Sequence, residues 1–167
     1  MNVKVYVCAV LIASTNLGTT LVAQSGPSIE KSPEVVPYKP GKNAKLVPIA
    51  ACPSDFSAQP EPGVVYGMEP GITAPKPTRM TTVELTKQGR DAYKHGLFKD
   101  PNDVVSRISI IIGTDGVTKS PCLVRGAGFD LDELAGNAAL QWRFKPALKD
   151  GTPVEMRTTL EFRYETH

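Results

Sequence analysis

The sequence predicts an α+β domain: a small antiparallel sheet of about three strands with two helices packed on one face, preceded by a Pro-rich linker. Three observations carry this expectation. Val154, Met156, Thr158, Leu160, Phe162 and Tyr164 alternate with Glu155, Arg157, Thr159, Glu161 and Arg163, which is the period of a half-buried strand. Asp115-Gly116 stands between two apolar runs, a strong hairpin signal. Leu131, Leu134, Ala135, Ala138 and Trp142 recur at helical spacing and define one apolar face.

The chain begins with a pattern of its own. Lys4 precedes an apolar run over 5–12, and Thr15, Asn16, Gly18, Thr19 and Thr20 then dilute it. Residues 1–24 therefore read as a secretory signal peptide with cleavage near Ala23 or Gln24. A transmembrane helix needs about 20 apolar residues, and this run is shorter. An uncleaved anchor is the alternative, and only in that form would the chain contact a membrane. Export leaves Cys52 and Cys122 after removal of Cys8, either as a disulfide or as two unrelated thiols. A bridge would close a loop of about 70 residues and stabilise by about 4 kcal/mol in the chain-entropy picture.

Residues 25–78 form the predicted linker. Prolines recur throughout, from Pro27 to Pro77, and proline removes amide donors and disfavours helix in the residue before it. Two apolar pieces, 46–52 and 63–66, are able to dock on the domain, and a bridge at Cys52 would pin the first. The domain is expected over 79–167. Thr86 caps a short helix over 87–94, with Gly96 as its stop, and 99–103 make a turn. A strand over 104–112 buries Val104, Ile108, Ile110 and Ile112, interrupted by Ser106. The return strand, 117–125, contains Pro121 and so belongs at an edge or at a bulge. Asp130 and Glu133 form a capping box for a helix that runs to Trp142. Trp142, Phe144 and Pro146 are then a structural clasp that leads, through a turn at 149–152, into the last strand.

Chemistry is sparse. His95 and His167 are the only histidines, there is no His/Cys cluster, and no Gly-x-Ser-x-Gly elbow occurs. Gly126 and Gly128 lack the third glycine of a dinucleotide loop. No catalytic, metal or cofactor site is predicted. The net charge of +2 is too small to point to nucleic acid. A binding protein is the expected class, and the edge of the strand bearing Val154, Met156, Thr158, Leu160, Phe162 and Tyr164 is the candidate contact with a partner.

The series Asp115-Gly116, Val124-Arg125-Gly126 with Gly128, Leu131-Asp132-Glu133 with Ala135, Trp142-Arg143-Phe144-Lys145-Pro146-Ala147, and Asp150-Gly151-Thr152-Pro153-Val154 before a strand ending in Phe162 resembles the C-terminal domain of the TonB energy-transducer family. The likeness covers roughly residues 72–167. It implies a periplasmic location and a protein partner, the N-terminal segment of a TonB-dependent outer-membrane receptor, gripped by strand addition for energised transport. Transducers of that family also keep an N-terminal anchor that contacts an inner-membrane motor. Here the apolar segment looks cleavable and holds no His, and the linker lacks long Glu-Pro and Lys-Pro repeats. The alternative is an exported structural protein that self-associates, for example as a homodimer through its final strands.

Overall fold

The computed structural model describes residues 5–6, 31–40, 45–53, 62–65, 67, 70–98 and 104–164. Most of residues 1–24, read as a signal peptide, much of the expected linker at 25–78 and the turn expected at 99–103 lie outside the described residues. The strands are β1 (Val5–Tyr6), β2 (Glu34–Pro37), β3 (Val64–Val65), β4 (Ile72–Thr73), β5 (Lys76–Thr82), β6 (Val105–Ile112), β7 (Thr118–Arg125), β8 (Arg143–Lys145), β9 (Ala147–Lys149) and β10 (Thr152–Tyr164), and the helices are α1 (Lys87–Lys94) and α2 (Leu131–Ala139).

The centre of the main sheet is the antiparallel pair β6 and β10, which run in unbroken register from Met156 opposite Ile112 to Arg163 opposite Val105. Alternation sends Leu160, Phe162 and Tyr164 to the same side as Ile108, Ile110 and Ile112, where α2 covers them with Leu131, Leu134, Ala135 and Ala138. Ser106, the polar break in that face, is buried and donates to Asp132 Oδ1 at 2.6 Å. Asp132 also accepts from the amides of Ala127 and Gly128, at 2.8 and 3.0 Å. One buried carboxylate thereby satisfies three donors and fixes the loop that enters α2.

The sheet is larger than the three strands expected from sequence. Its order is β4-β9-β10-β6-β7, with β1 and β3 also paired to β10, and a second sheet runs β2-β5-β8. The added strands are mostly two to four residues long, too short to show a period. β2, β3, β4 and part of β5 fall within 25–78, so ordered structure extends upstream of residue 79. Pro77 in β5 sits at a register shift, and Pro121 lies in β7, whose pairing with β6 is also shifted. Both fit the rule that proline interrupts a ladder.

Two sequence readings of α2 are corrected. The helix ends at Ala139 rather than Trp142, with Arg143 Nη1 donating to the carbonyls of Leu140 and Trp142 just beyond it. The Asp130 capping box does not form: Asp130 makes no cap bond, and its Oδ1 accepts instead from Thr86 Oγ1 at 2.7 Å. Thr86 does cap α1, accepting from the Gly89 amide at 3.0 Å, and so joins the starts of the two helices. The clasp is buried. Trp142 stacks on Phe144 with centroids 5.8 Å apart, meets Phe162 edge-on at 6.2 Å, and donates Nε1–H to the Thr81 carbonyl at 3.0 Å. Pro146 separates β8 from β9, and the tight turn into β10 uses Asp150 and Gly151, both at positive φ.

Candidate strand-docking edge

β10 has two edges with different histories. Its inner edge is taken by β6 from Met156 to Arg163. On the outer edge β9 pairs with residues 152–154, β3 pairs in parallel with Glu155 and Met156, and β1 pairs with Arg163 and Tyr164. Between them, residues 158–162 have no strand partner on that side among the described residues.

The direction of the backbone groups follows from one bond. The Tyr164 amide donates to the Val104 carbonyl at 2.9 Å, toward β6. Because successive peptide groups alternate, Phe162, Leu160 and Thr158 also direct their amides and carbonyls to β6. Arg157, Thr159 and Glu161 direct theirs outward. Among the described residues the edge at 158–162 therefore presents donors and acceptors that no strand takes up, the feature that recruits an added strand.

Side chains divide in the opposite sense from what a contact list would want. Of the residues expected to meet a partner, Met156, Leu160, Phe162 and Tyr164 are buried, and Val154 and Thr158 are half-buried. They form the floor of the core, so contact at this edge falls to main chain and to the alternate residues. Thr159 is exposed and Arg157, Glu161 and Arg163 are half-buried. The sequence places those alternate residues on a solvated face without assigning them to the edge. Peptide-plane alternation was the available signal, since it separates which residues face the core from which face a neighbouring strand.

The open face carries paired charge. Glu161 accepts from Arg107 Nε at 2.9 Å and from Arg163 Nη2 at 3.0 Å. Partial burial raises the Glu161 pKa, but the bonds and charges of Arg107 and Arg163 outweigh it and hold the carboxyl below its usual range. Lys119 pairs with Glu155, and Arg157 Nη1 donates to Ser109 Oγ at 3.2 Å. At the other end of the buried face, desolvation drives the Tyr164 phenol well above its ordinary value, Asp132 and Asp130 add to this, and its hydroxyl donates to the Leu131 carbonyl at 2.9 Å.

Cys52 and Cys122 are joined in a disulfide, with Cα atoms 4.8 Å apart. Away from the edge, an open cleft of about 470 Å³ lies beside α1, lined by residues that include His95, Leu97 and Phe129. No group of three or more metal-ligating side chains occurs among the described residues. No helix among them is long and apolar enough to cross a membrane.

A small α+β domain with part of one long strand unpaired among the described residues has the edge geometry by which some modules take up extended polypeptide. Residues 103–166 match the family described as Gram-negative bacterial TonB protein C-terminal, a family of protein-interaction domains, and the match supports that family for this part of the chain. The match spans β6 to β10 and α2, and so includes the open edge. No curated protein and no solved structure matches the chain.

Proposed function

We propose that this chain is an exported, periplasmic protein whose C-terminal domain binds a partner polypeptide by strand addition to the outer edge of β10. The partner of choice is the N-terminal segment of a TonB-dependent outer-membrane receptor. The observation that supports this most is the run at 158–162, which no strand among the described residues pairs on its outer side and which is backed by the buried side chains of Leu160 and Phe162. A strand laid there gains main-chain hydrogen bonds from Thr159 and Glu161 without disturbing the core. The role is that of a binding module rather than an enzyme.

Whether such a module transmits force depends on its N-terminal attachment. Residues 1–24 are read as a cleaved signal peptide, which makes the mature chain a periplasmic adaptor, and residues 25–78 as the Pro-rich tether, part of it folded back as β2 to β5. Retention of 1–24 as an anchor would restore the role in energy transduction. Mass spectrometry of the exported protein distinguishes them: a mature terminus near Gln24 excludes force transmission, whereas retained residues 1–23 in the membrane support it.

Binding is tested by titrating the protein with synthetic peptides from receptor N-terminal segments, following the amides of Thr159 and Glu161 by NMR. Saturable shifts at those amides are expected. The edge is equally open to a second copy, and two β10 strands related by a two-fold axis pair antiparallel. A chain that dimerises and takes no receptor peptide is a self-associating structural protein instead.

A further inference from the structure

Residues 46–52 lie outside the matched family domain, yet they occupy its far edge. β7 pairs with β6 on one side. On its other side the Cys52 amide donates to the Leu123 carbonyl and the Leu123 amide donates to the Ala50 carbonyl, both at 2.8 Å, which sets Ala51 in a parallel bridge with Leu123. Leu46 and Ile49 rest on the hydrophobic core. Ile49 fills a notch on α2 that exists only because residue 136 is glycine: a Cβ there would stand 2.7 Å from Ile49 Cδ1. The next residue, Asn137, grips the Val47 backbone from both sides, accepting from its amide at 3.3 Å and donating to its carbonyl at 3.0 Å.

Edge hydrogen bonds, a side-chain pocket and a backbone clamp are the means by which a groove holds an extended ligand. Here the ligand is part of the chain. Few non-covalent bonds hold it, Val47 remains exposed, and fixing a seven-residue stretch costs conformational entropy of the same order as those bonds return. The covalent Cys52–Cys122 bond therefore decides whether the groove stays filled.

We propose that the groove between α2 and β7 is a second strand-docking site, closed in cis by residues 46–52 and gated by the Cys52–Cys122 disulfide. Both cysteines are half-buried, which leaves them open to thiol exchange. A dithiol reductant opens the gate: one thiolate attacks a protein sulfur to give a mixed disulfide and a protein thiol, and the second thiol resolves it. Two protein thiols result and the reductant leaves as its disulfide, so two electrons have passed to the protein. Release of 46–52 leaves Leu123 without its edge partners and empties the Gly136 notch. The opened groove selects an extended segment with the spacing of Leu46, Ile49 and Cys52. It is separate from the β10 edge, so it stands or falls independently of the receptor reading.

Hydrogen exchange on the intact protein, oxidised and then reduced with dithiothreitol, tests the gate. The amides of Cys52 and Leu123 should lose at least tenfold in protection while the β6 amides and Trp142 Nε1–H keep theirs. Unchanged protection with both thiols free overturns the gate. So does a loss that spreads through β6, because the disulfide would then be a general staple. The groove is tested by offering the Cys52→Ser protein a synthetic peptide of residues 45–53 carrying its cysteine as a mixed disulfide with a small thiol. Capture at Cys122, mapped by mass spectrometry, should run at least tenfold faster than for a peptide of the same composition in scrambled order, and Gly136→Val should abolish the difference. Equal capture of the two peptides overturns the groove.

Discussion

The Trp142 indole N–H donates to the carbonyl of Thr81 at 3.0 Å, across 61 residues of sequence. Thr81 lies in β5, upstream of the matched family domain, and Trp142 lies at its heart. The bond shows that the working core is assembled from both parts. Trp142 is fully buried against Phe144 and Phe162. Trp142→Ala should cost about 3 kcal/mol or more, read by urea denaturation, and a chain truncated before Glu84 should fail to fold cooperatively. If the Trp142→Ala protein stays stable but loses its peptide, the side chain contacts the partner directly.

Thr81 carries a second consequence. Its side chain is buried, and its hydroxyl finds no hydrogen-bond partner among the described residues. A buried hydroxyl without a partner costs roughly 1–3 kcal/mol relative to an apolar group of the same shape. Thr81→Val keeps the carbonyl that Trp142 uses and removes the orphaned oxygen. It should raise stability by about 1 kcal/mol, seen as a higher urea midpoint with an unchanged slope.

Gly116 closes the β6–β7 turn at φ 78°. A Cβ there would lie 1.9 Å from the Phe144 carbonyl oxygen, which is main chain and cannot swing aside. Gly116 also accepts from the Phe144 amide at 3.0 Å, so the turn and β8 are locked together. Gly116→Ala adds strain at positive φ to that clash and should cost at least about 2 kcal/mol. Gly63→Ala, also at positive φ but in open space, should cost less, and a comparison of the two melting curves isolates the clash.

Alkaline pH bears on Tyr164. Its folded phenol titrates well above the ordinary 10.0. A raised acid favours the protonated folded state, so this stability is complete below the unfolded value and is lost as the pH climbs from there toward the folded one. Stability should fall above about pH 10, and Tyr164→Phe should flatten that fall. The same change should cost about 1 kcal/mol at neutral pH, because the Leu131 carbonyl loses its donor. An equally steep alkaline loss in Tyr164→Phe would assign the effect to other groups.

The parts of this fold legible in the sequence are those with a period or a turn signature. β6, β7, β10, α1 and the Asp150-Gly151 turn are all marked that way. What stayed hidden depends on distant partners. Asp132 looks like an ordinary first-turn acid, yet it is the buried acceptor for Ser106, Ala127 and Gly128. Ile49 reads as one apolar residue among prolines, and only the Gly136 notch gives it a seat. Short strands such as β3 and β4 have no room to display alternation. The β10 edge was legible as a candidate docking site, but the residues assigned to it were the core-facing ones, since the face that buries and the side that pairs are set by different atoms.

That difference supplies the sharpest test of strand addition. The Thr159 amide points away from β6, while that of Thr158 points toward it. Proline at 159 removes only a donor that no strand among the described residues uses, and proline is tolerated where the missing N–H faces outward. Thr159→Pro should therefore fold, with β6 amides still protected, and should lose peptide binding at least tenfold, because the added strand forfeits a bond and meets the ring. Thr158→Pro removes a bond within the central β6–β10 pair and should not fold stably. If Thr159→Pro binds receptor peptides as tightly as the parent chain, the partner does not lie along β10, and the open edge has some other use.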